Sequence, residues 1–458
     1  VATTVRQALK VPTALASNAI VYLKLQDLEC PEGKPTPLCS ARTAGRLEPL
    51  VLRANAGDCL EVTLINAIDA ARLTSTTGTA APNLPPVPQT LPPTFAYGCG
   101  AGGAAACLPS RISLNVGLHP QLVSYDVAAG DAFNAGTNPV QTVAPGQVRT
   151  YTWYAGNVDT SVDPPRYIPI EFGAANLLPS DVINHYQIGL FGALVIEPKG
   201  ATGWKPEDGT TTVVRTAQGA PHFRELVLAL EDGLSTPNLA ISADKVNAFN
   251  YASEPLGNRS CATAGDLSCI LSTSAQCGSG PCGDPKTPTL RACAGEEVRM
   301  RVVHPGGINT DHTFELYGHV WAETPYMSSG LLGCTPPTTH TNLYASSVIS
   351  DDRGCTQALL APLGKTVPLP LYGPGLDTLS EWQGFHLGHG PSNHFDVLIE
   401  KAGGRNAVPG DYLYRSYPAM HFTLGPWGIF RVEDKASSFC TGKTATGGGS
   451  VTAGGGGR

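Results

Sequence analysis

Leu52-Arg53-Ala54-Asn55-Ala56-Gly57-Asp58 recurs 238 positions later as Leu290-Arg291-Ala292-Cys293-Ala294-Gly295-Glu296. Downstream of each copy the apolar positions alternate, Leu60, Val62 and Leu64 after the first and Val298, Met300 and Val302 after the second. A Gly-acid turn followed by period-two alternation predicts a strand with one buried face. A second match closes each unit: the run Gly189-Leu190-Phe191-Gly192-Ala193-Leu194-Val195-Ile196-Glu197 parallels Gly425-Pro426-Trp427-Gly428-Ile429-Phe430-Arg431-Val432-Glu433 at an offset of 236. Two blocks bracketed at nearly one offset predict two copies of one domain, residues 1–205 and 206–436, followed by a Gly-rich tail at 437–458.

Strand signals continue between the brackets. Val148 to Tyr154 alternates after the Pro145-Gly146 turn, and Leu226 to Leu230 and His394 to Glu400 read as further strands. The 52 Gly and 39 Pro among 458 residues disfavour long helices and suit short strands joined by turns. At 42% hydrophobic residues the chain can bury a large core, which excludes disorder throughout. A net charge of −7 gives no basic footprint for nucleic acid. No stretch approaches the roughly 20 unbroken apolar residues of a membrane helix. The predicted fold class is all-β, two β-sandwich domains with long loops. One of those loops, Ala80 to Phe95, holds six prolines and predicts extended chain.

Thirteen cysteines bear on the compartment. Cys30 with Cys39, Cys99 with Cys107, Cys261 with Cys269, and Cys277 with Cys282 are near neighbours in loop-like sequence, where disulfides would tie down the segment. Paired CxxC spacing for zinc is absent, and so is CxxCH for covalent haem. Disulfide-tied loops predict an oxidising location, extracellular or periplasmic, and the start at Val1 is compatible with a leader already removed. The odd count leaves one thiol over, and Cys440 is a candidate tether for the tail.

Two segments of the second unit carry a resemblance. His312-Thr313-Phe314-Glu315-Leu316-Tyr317-Gly318-His319 resembles the HPxHLHGH strand of multicopper oxidases. Gly410 to His421, with Gly425 and Gly428, resembles that family's HCHxxxHxxxGM block, and Gly117-Leu118-His119-Pro120 resembles a first-domain strand. The resemblance implies two cupredoxin-like Greek-key sandwiches, copper as cofactor, and a homo-oligomer like the two-domain branch of the family.

The ligand set that the family requires is largely missing. A type 1 copper takes two imidazoles and a thiolate. The matching positions are His312, Ser416 and His421, with Pro426 at the axial methionine. The trinuclear centre takes its ligands from His-x-His pairs, and none of the 11 histidines is separated from another by one residue. Glu315, Tyr317, Arg415 and Tyr417 stand at those ligand positions, while His319 and His119, with Gln121 two residues on, are single imidazoles. The first four are expected to form a hydrogen-bonded plug in the former metal space, with Glu315 buried beneath Arg415. His386, His389 and His394 lie within nine residues and are weighed as a surface metal site against an ordinary turn, the turn being preferred.

No residue is assigned a catalytic or organic-cofactor role; the metal candidates are His312 and His421, weighed against a preferred reading in which both are buried and make hydrogen bonds inside the sandwich. No cofactor is expected beyond copper as the one candidate metal. The preferred function is a secreted multicopper-oxidase-like protein without type 1 or trinuclear ligands, acting as a structural or binding component of an extracellular assembly. The alternative is a copper-dependent oxidoreductase with a reduced mononuclear site. Partners are expected to be proteins or further copies of the chain, with no nucleic acid and no membrane span.

Overall fold

The computed structural model describes residues 2–4, 19–29, 40–41, 47–68, 113–182, 185–205, 209–216, 222–234, 246–259, 268–274, 276–277, 280–307, 311–323, 325 and 382–442. The fold is all-β, with two sandwiches. The first contains β1 (Leu50–Asn55), β2 (Cys59–Ala67), β3 (Leu118–Pro120), β4 (Val148–Tyr154), β5 (Gly173–Pro179) and β6 (Gly192–Glu197). The second contains β7 (Phe223–Leu234), β8 (Thr289–Cys293), β9 (Val298–Val303), β10 (His312–Leu316), β11 (Phe385–His389), β12 (His394–Ile399), β13 (Gly410–Ser416) and β14 (Trp427–Glu433). A short helix, α1 (Ala419–Thr423), links the last two.

In the first sandwich a four-stranded sheet ordered β1-β6-β5-β3 faces a five-stranded sheet that includes β2 and β4. In the second, a five-stranded sheet ordered β8-β14-β13-β10-β11 faces a six-stranded sheet in which β7, β9 and β12 are adjacent. The strand Ala201–Lys205 pairs with Thr211–Thr216 at the edge of that six-stranded sheet. Pro198-Lys199-Gly200 links β6 of the first sandwich to that edge strand. No helix among the described residues is long and apolar enough to cross a membrane.

The repeat has a structural meaning. In each sandwich its two bracketing segments are parallel neighbours: β1 on β6, with Asn55 opposite Glu197, and β8 on β14, with Cys293 opposite Glu433. The chain then turns identically. Ala56 N–H donates to the Glu197 carbonyl at 2.9 Å and Ala294 N–H to the Glu433 carbonyl at 2.9 Å. The acid of each turn accepts from the backbone three residues back, Asp58 from Asn55 N–H and Glu296 from Cys293 N–H, both at 2.8 Å. Gly57 at φ 97° and Gly295 at φ 79° occupy the left-handed region that the turn requires.

The two copies diverge in what covers them. β6 is buried at every position, because its outer face packs on the second sandwich. Val51, Ala174, Ala193 and Val195 meet Val227, Ala229 and Val303 in a core shared by both sandwiches. That double burial explains why Leu190 to Ile196 reads as a continuous apolar run. An ion cluster is sealed into the same interface. Arg301, wholly buried, lies 3.1 Å from Glu225, 3.4 Å from Glu197 and 3.0 Å from Asp396, and Arg53 adds a 2.8 Å contact to Glu225. The repeat-related pair in the second sandwich, Arg291 and Glu433, forms a surface salt bridge instead.

Beside the cluster, Glu171 pairs with Arg299 at 3.1 Å. Burial outweighs the pull of Arg299 and Arg301 and pushes its carboxyl up to about 7. A carboxyl raised on folding favours the native state fully below its unfolded pKa near 4.5, and that contribution is lost as pH rises through about 7. The Glu171→Gln variant is expected to flatten the fall in stability between pH 5 and 7.5, roughly the window between those two values. Urea melts at several pH values check this, and an unchanged slope would count against it.

Cys293 is bonded to Cys440, which anchors the short C-terminal helix Ser438–Thr441 beside β8. Cys269 and Cys282 are each disulfide-bonded. The expected partners Cys261 and Cys277 lie, with Cys30, Cys39, Cys99 and Cys107, outside the described side chains. Cys59 is the free, exposed cysteine among the described residues.

Candidate metal centre

Both sheets of the second sandwich deliver polar side chains to one end of its core. β7 and β9 run parallel with Ala229 opposite Val303, so Asp232 and His304 emerge together just beyond that pair. In the facing sheet β10 and β11 are antiparallel, with His312 opposite His389. Alternation along β10 turns His312, Phe314 and Leu316 inward and leaves Thr313 and Glu315 less buried. Ser416 ends β13 on the inward side, and α1 brings His421 over the same space.

Asp232, His304 and His312 each present a ligand atom within 4.8 Å of the others, and all three are buried. His312 Nε2 lies 3.5 Å from Asp232 Oδ2, and His304 Nε2 lies 3.9 Å from Asp232 Oδ1. Those separations are long for hydrogen bonds. They suit atoms that share an ion at about 2 Å from each. The other ring nitrogens are occupied. His312 Nδ1 is 2.8 Å from Ser416 Oγ, and His304 Nδ1 faces the His389 carbonyl at 3.4 Å. Both Nε2 atoms therefore face Asp232, and in the tautomer with Nδ1–H donating each would present there a lone pair that an ion could share. Neither Nε2 has a hydrogen-bond partner among the described residues, nor do His389 Nδ1, His389 Nε2 or His421 Nδ1. Buried ring nitrogens without partners are rare, because each has lost its hydration for nothing in return. Outer nitrogens held while inner ones converge on a carboxylate is how imidazoles are presented to a metal.

The electrostatics favour the ligand form. Burial lowers the His312 pKa against the pull of Asp232, with His304 adding to the lowering. Burial pushes His389 well down, reinforced by His304, His312 and His386. His421 is lowered by burial and by His312. Neutral imidazole is the form that binds metal, so no proton need leave these three rings at neutral pH. The donor set is oxygen and nitrogen with no sulfur. It fits a borderline divalent ion such as copper(II) or zinc and does not fit a type 1 copper.

The approach of His304 depends on the following Pro305-Gly306-Gly307. A Cβ on Gly306 would lie 2.5 Å from the Tyr186 ring, and one on Gly307 would lie 2.0 Å from Asp232 Oδ1. The Gly307→Ala variant must therefore displace the Asp232 carboxylate. Its metal affinity is expected to fall by about 10–100-fold, read by competition with a chelator; an unchanged affinity would exclude Asp232 as a ligand. The first sandwich braces the other side. Ser392 N–H donates to the His304 carbonyl at 2.7 Å, and Gln121 Nε2 donates to the Ser392 carbonyl at 3.1 Å.

Other residues singled out in the sequence fall elsewhere. His421 lies tilted against His312 at 4.5 Å between ring centroids and is not one of the three converging ligands. Ser416 Oγ, at the position matched to the type 1 thiolate, lies 2.8 Å from His312 Nδ1. His319 is satisfied at both nitrogens, by the Tyr317 carbonyl at 2.9 Å and by Gly403 N–H at 3.0 Å. His119 lies in the first sandwich with Nδ1 2.8 Å from the Asp131 carbonyl. Arg415 does pair with Glu315 at 3.0 Å and donates to the Tyr317 hydroxyl at 2.6 Å. The group is not a buried plug, however: Tyr317 and Tyr417 are 41% and 55% exposed. Strand alternation places it on the outer face, away from His312. The Arg415 and Glu315 side chains are themselves partly buried, so Arg415→Ala is expected to reduce stability by about 1–2 kcal/mol, between an exposed pair and a buried one, and a loss of about 3–5 kcal/mol on chemical denaturation would contradict the outer-face placement. The segment of His386, His389 and His394 does turn, at residues 390–393 between β11 and β12, with Asn393 N–H donating to the Gly390 carbonyl at 3.1 Å. His386 stacks on Phe395 at 3.9 Å, while His389 is wholly buried beside His304 and His312.

Sequence reasoning missed Asp232, His304 and the inward turn of His389. A signal was present for one of them: His304-Pro305-Gly306-Gly307 pairs an imidazole with two residues that allow close backbone approach. Asp232 carries none, since an acid at a strand end is ordinarily solvated.

No family model matches the chain, and no curated protein matches it in sequence. Solved structures do. A multicopper oxidase aligns at 12% identity and TM-score 0.41, over 85% of this chain and 79% of its own. A copper nitrite reductase from Nitrosomonas europaea aligns at 14% identity and TM-score 0.40, over 85% of both chains. A multi-copper oxidase from Pseudomonas thermotolerans aligns at 11% identity and TM-score 0.41, over 95% of this chain and 63% of its own. At such values these likenesses assign no reaction to this chain.

Proposed function

We propose that this chain is a metal-binding, multicopper-oxidase-like protein in which one buried mononuclear centre, held by Asp232, His304 and His312, replaces the type 1 and trinuclear coppers. The observation that carries the reading is the pair of Nε2 atoms, buried, unpartnered and converging on one carboxylate. It supports a bound metal, and with it the copper-dependent oxidoreductase with a reduced metal set, over a component that binds no metal. A bound copper ion would supply one-electron redox chemistry. The residues position it: Ser416 and the His389 carbonyl orient the two rings, Gly307 makes room for Asp232, and the sandwich excludes water. Copper is favoured among borderline ions by the sequence resemblance, and the Cys293–Cys440 disulfide supports an extracellular or periplasmic location. Elemental analysis after copper loading and desalting tests the proposal. About one ion per chain, lost in His304→Ala, is expected for a single mononuclear site; no retained metal, or equal retention in the variant, would overturn it.

A further inference from the structure

We infer that His389 is the fourth ligand of this centre, which makes it a closed three-imidazole, one-carboxylate shell. The inference deepens the proposed function and rests on it. Three observations point to His389. Its ring is wholly buried, and neither nitrogen has a partner among the described residues. No other imidazole in the cluster leaves both nitrogens so exposed to loss. Its ring centroid lies 5.3 Å from that of His304 and 5.9 Å from that of His312, while His304 and His312 are 5.3 Å apart. Rings that share a tetrahedral ion through bonds of about 2 Å have centroids roughly 5 Å apart. The triangle is close to that spacing, and His389, which is not among the three residues that converge as they stand, would join them by turning its ring toward the Asp232 carboxylate.

His421 and His386 do not fit the same test. His421 is tilted by 42° against His312 at 4.5 Å, and of its two nitrogens only Nδ1 is buried without a partner among the described residues, whereas both of His389 are. His386 is 6.4 Å from His389 and lies flat on Phe395. The backbone adds a reason for His389. Its carbonyl orients His304, and its strand position is directly opposite His312, so one residue positions one ligand while standing beside another.

The consequence concerns what the centre can bind. Four protein ligands around a tetrahedral ion leave no open position, the arrangement of structural rather than hydrolytic or oxygen-binding sites. Small anions are then excluded from the ion, and any electron must pass without substrate attaching to it.

The test uses the full chain loaded with cobalt(II), whose visible absorption is intense in four-coordinate and weak in six-coordinate surroundings. The wild type is expected to show the intense spectrum and no change on adding azide. In His389→Ala the intensity should fall and azide should alter the spectrum. Affinity for cobalt should drop by more than the 10–100-fold typical of a lost supporting contact, while His386→Ala stays within a few-fold of wild type. Should His389→Ala fail to fold, the wild-type spectrum decides alone: a weak, azide-sensitive spectrum overturns the closed shell. Equal affinity and spectrum in wild type and His389→Ala would overturn the role of His389 and leave the three-ligand centre standing. A wild type that binds no cobalt or copper would overturn the centre itself.

Discussion

The Arg301→Met variant is expected to lose about 3–5 kcal/mol of unfolding free energy at neutral pH. Arg301 is wholly buried among Glu197, Glu225 and Asp396, and removing its charge while keeping its bulk leaves those carboxyls in an apolar interface. A charge stripped of its partner in such a place is far more damaging than the pair was beneficial. The sign of the pH dependence follows from Glu225. Burial pushes this carboxyl up, but Arg53 and Arg301 outweigh it and hold it at about 2. A carboxyl depressed on folding contributes stability above its unfolded value near 4.5 and loses it as pH falls toward about 2. Glu197 moves the other way, raised by burial and by Glu225 against the pull of Arg301 and Arg53. The deficit of the variant should therefore be largest above pH 5 and shrink toward pH 3, where the carboxyls can take up protons. Guanidinium melts at both pH values measure this; a deficit under about 1 kcal/mol, the scale of an exposed pair, would mean that the interface is open to water.

The second large effect concerns metal and stability together. Copper(II) that binds only the folded chain is expected to stabilise the wild type by about 2.7 kcal/mol when free copper is a hundred times the dissociation constant. Asp232→Asn should cut that gain sharply. The substitution keeps the shape and removes the one carboxylate of the site, leaving only imidazoles to hold the ion. Differential scanning calorimetry with and without copper reads both. Equal upward shifts in wild type and variant would place the copper elsewhere on the chain.

The fold was legible because the repeat falls on backbone chemistry. Gly57 and Gly295 must adopt positive φ, and Asp58 and Glu296 must accept from the turn, whatever surrounds them. Local requirements of this kind leave a mark in sequence. The candidate centre depends instead on where chain segments about 70–160 residues apart come to rest. His312 was visible because it lies in a recognisable strand. Asp232 and His304 were not, since their meeting depends on the parallel pairing of β7 with β9. The outward turn of Glu315 and Arg415 could have been foreseen from strand alternation alone, given that His312 faces inward. The tether at Cys440 was legible but its partner Cys293 was not, since the bond spans 147 residues and the expected pairs were neighbours.

The most direct test of the central claim is a crystal structure of the copper-loaded chain with anomalous scattering recorded at the copper edge. The account predicts one strong peak in the second sandwich, bonded to the Nε2 atoms of His304 and His312 and to the Asp232 carboxylate. A peak at His312 Nδ1 with Ser416 displaced, a cluster of several peaks, or no peak in the sandwich would each contradict it.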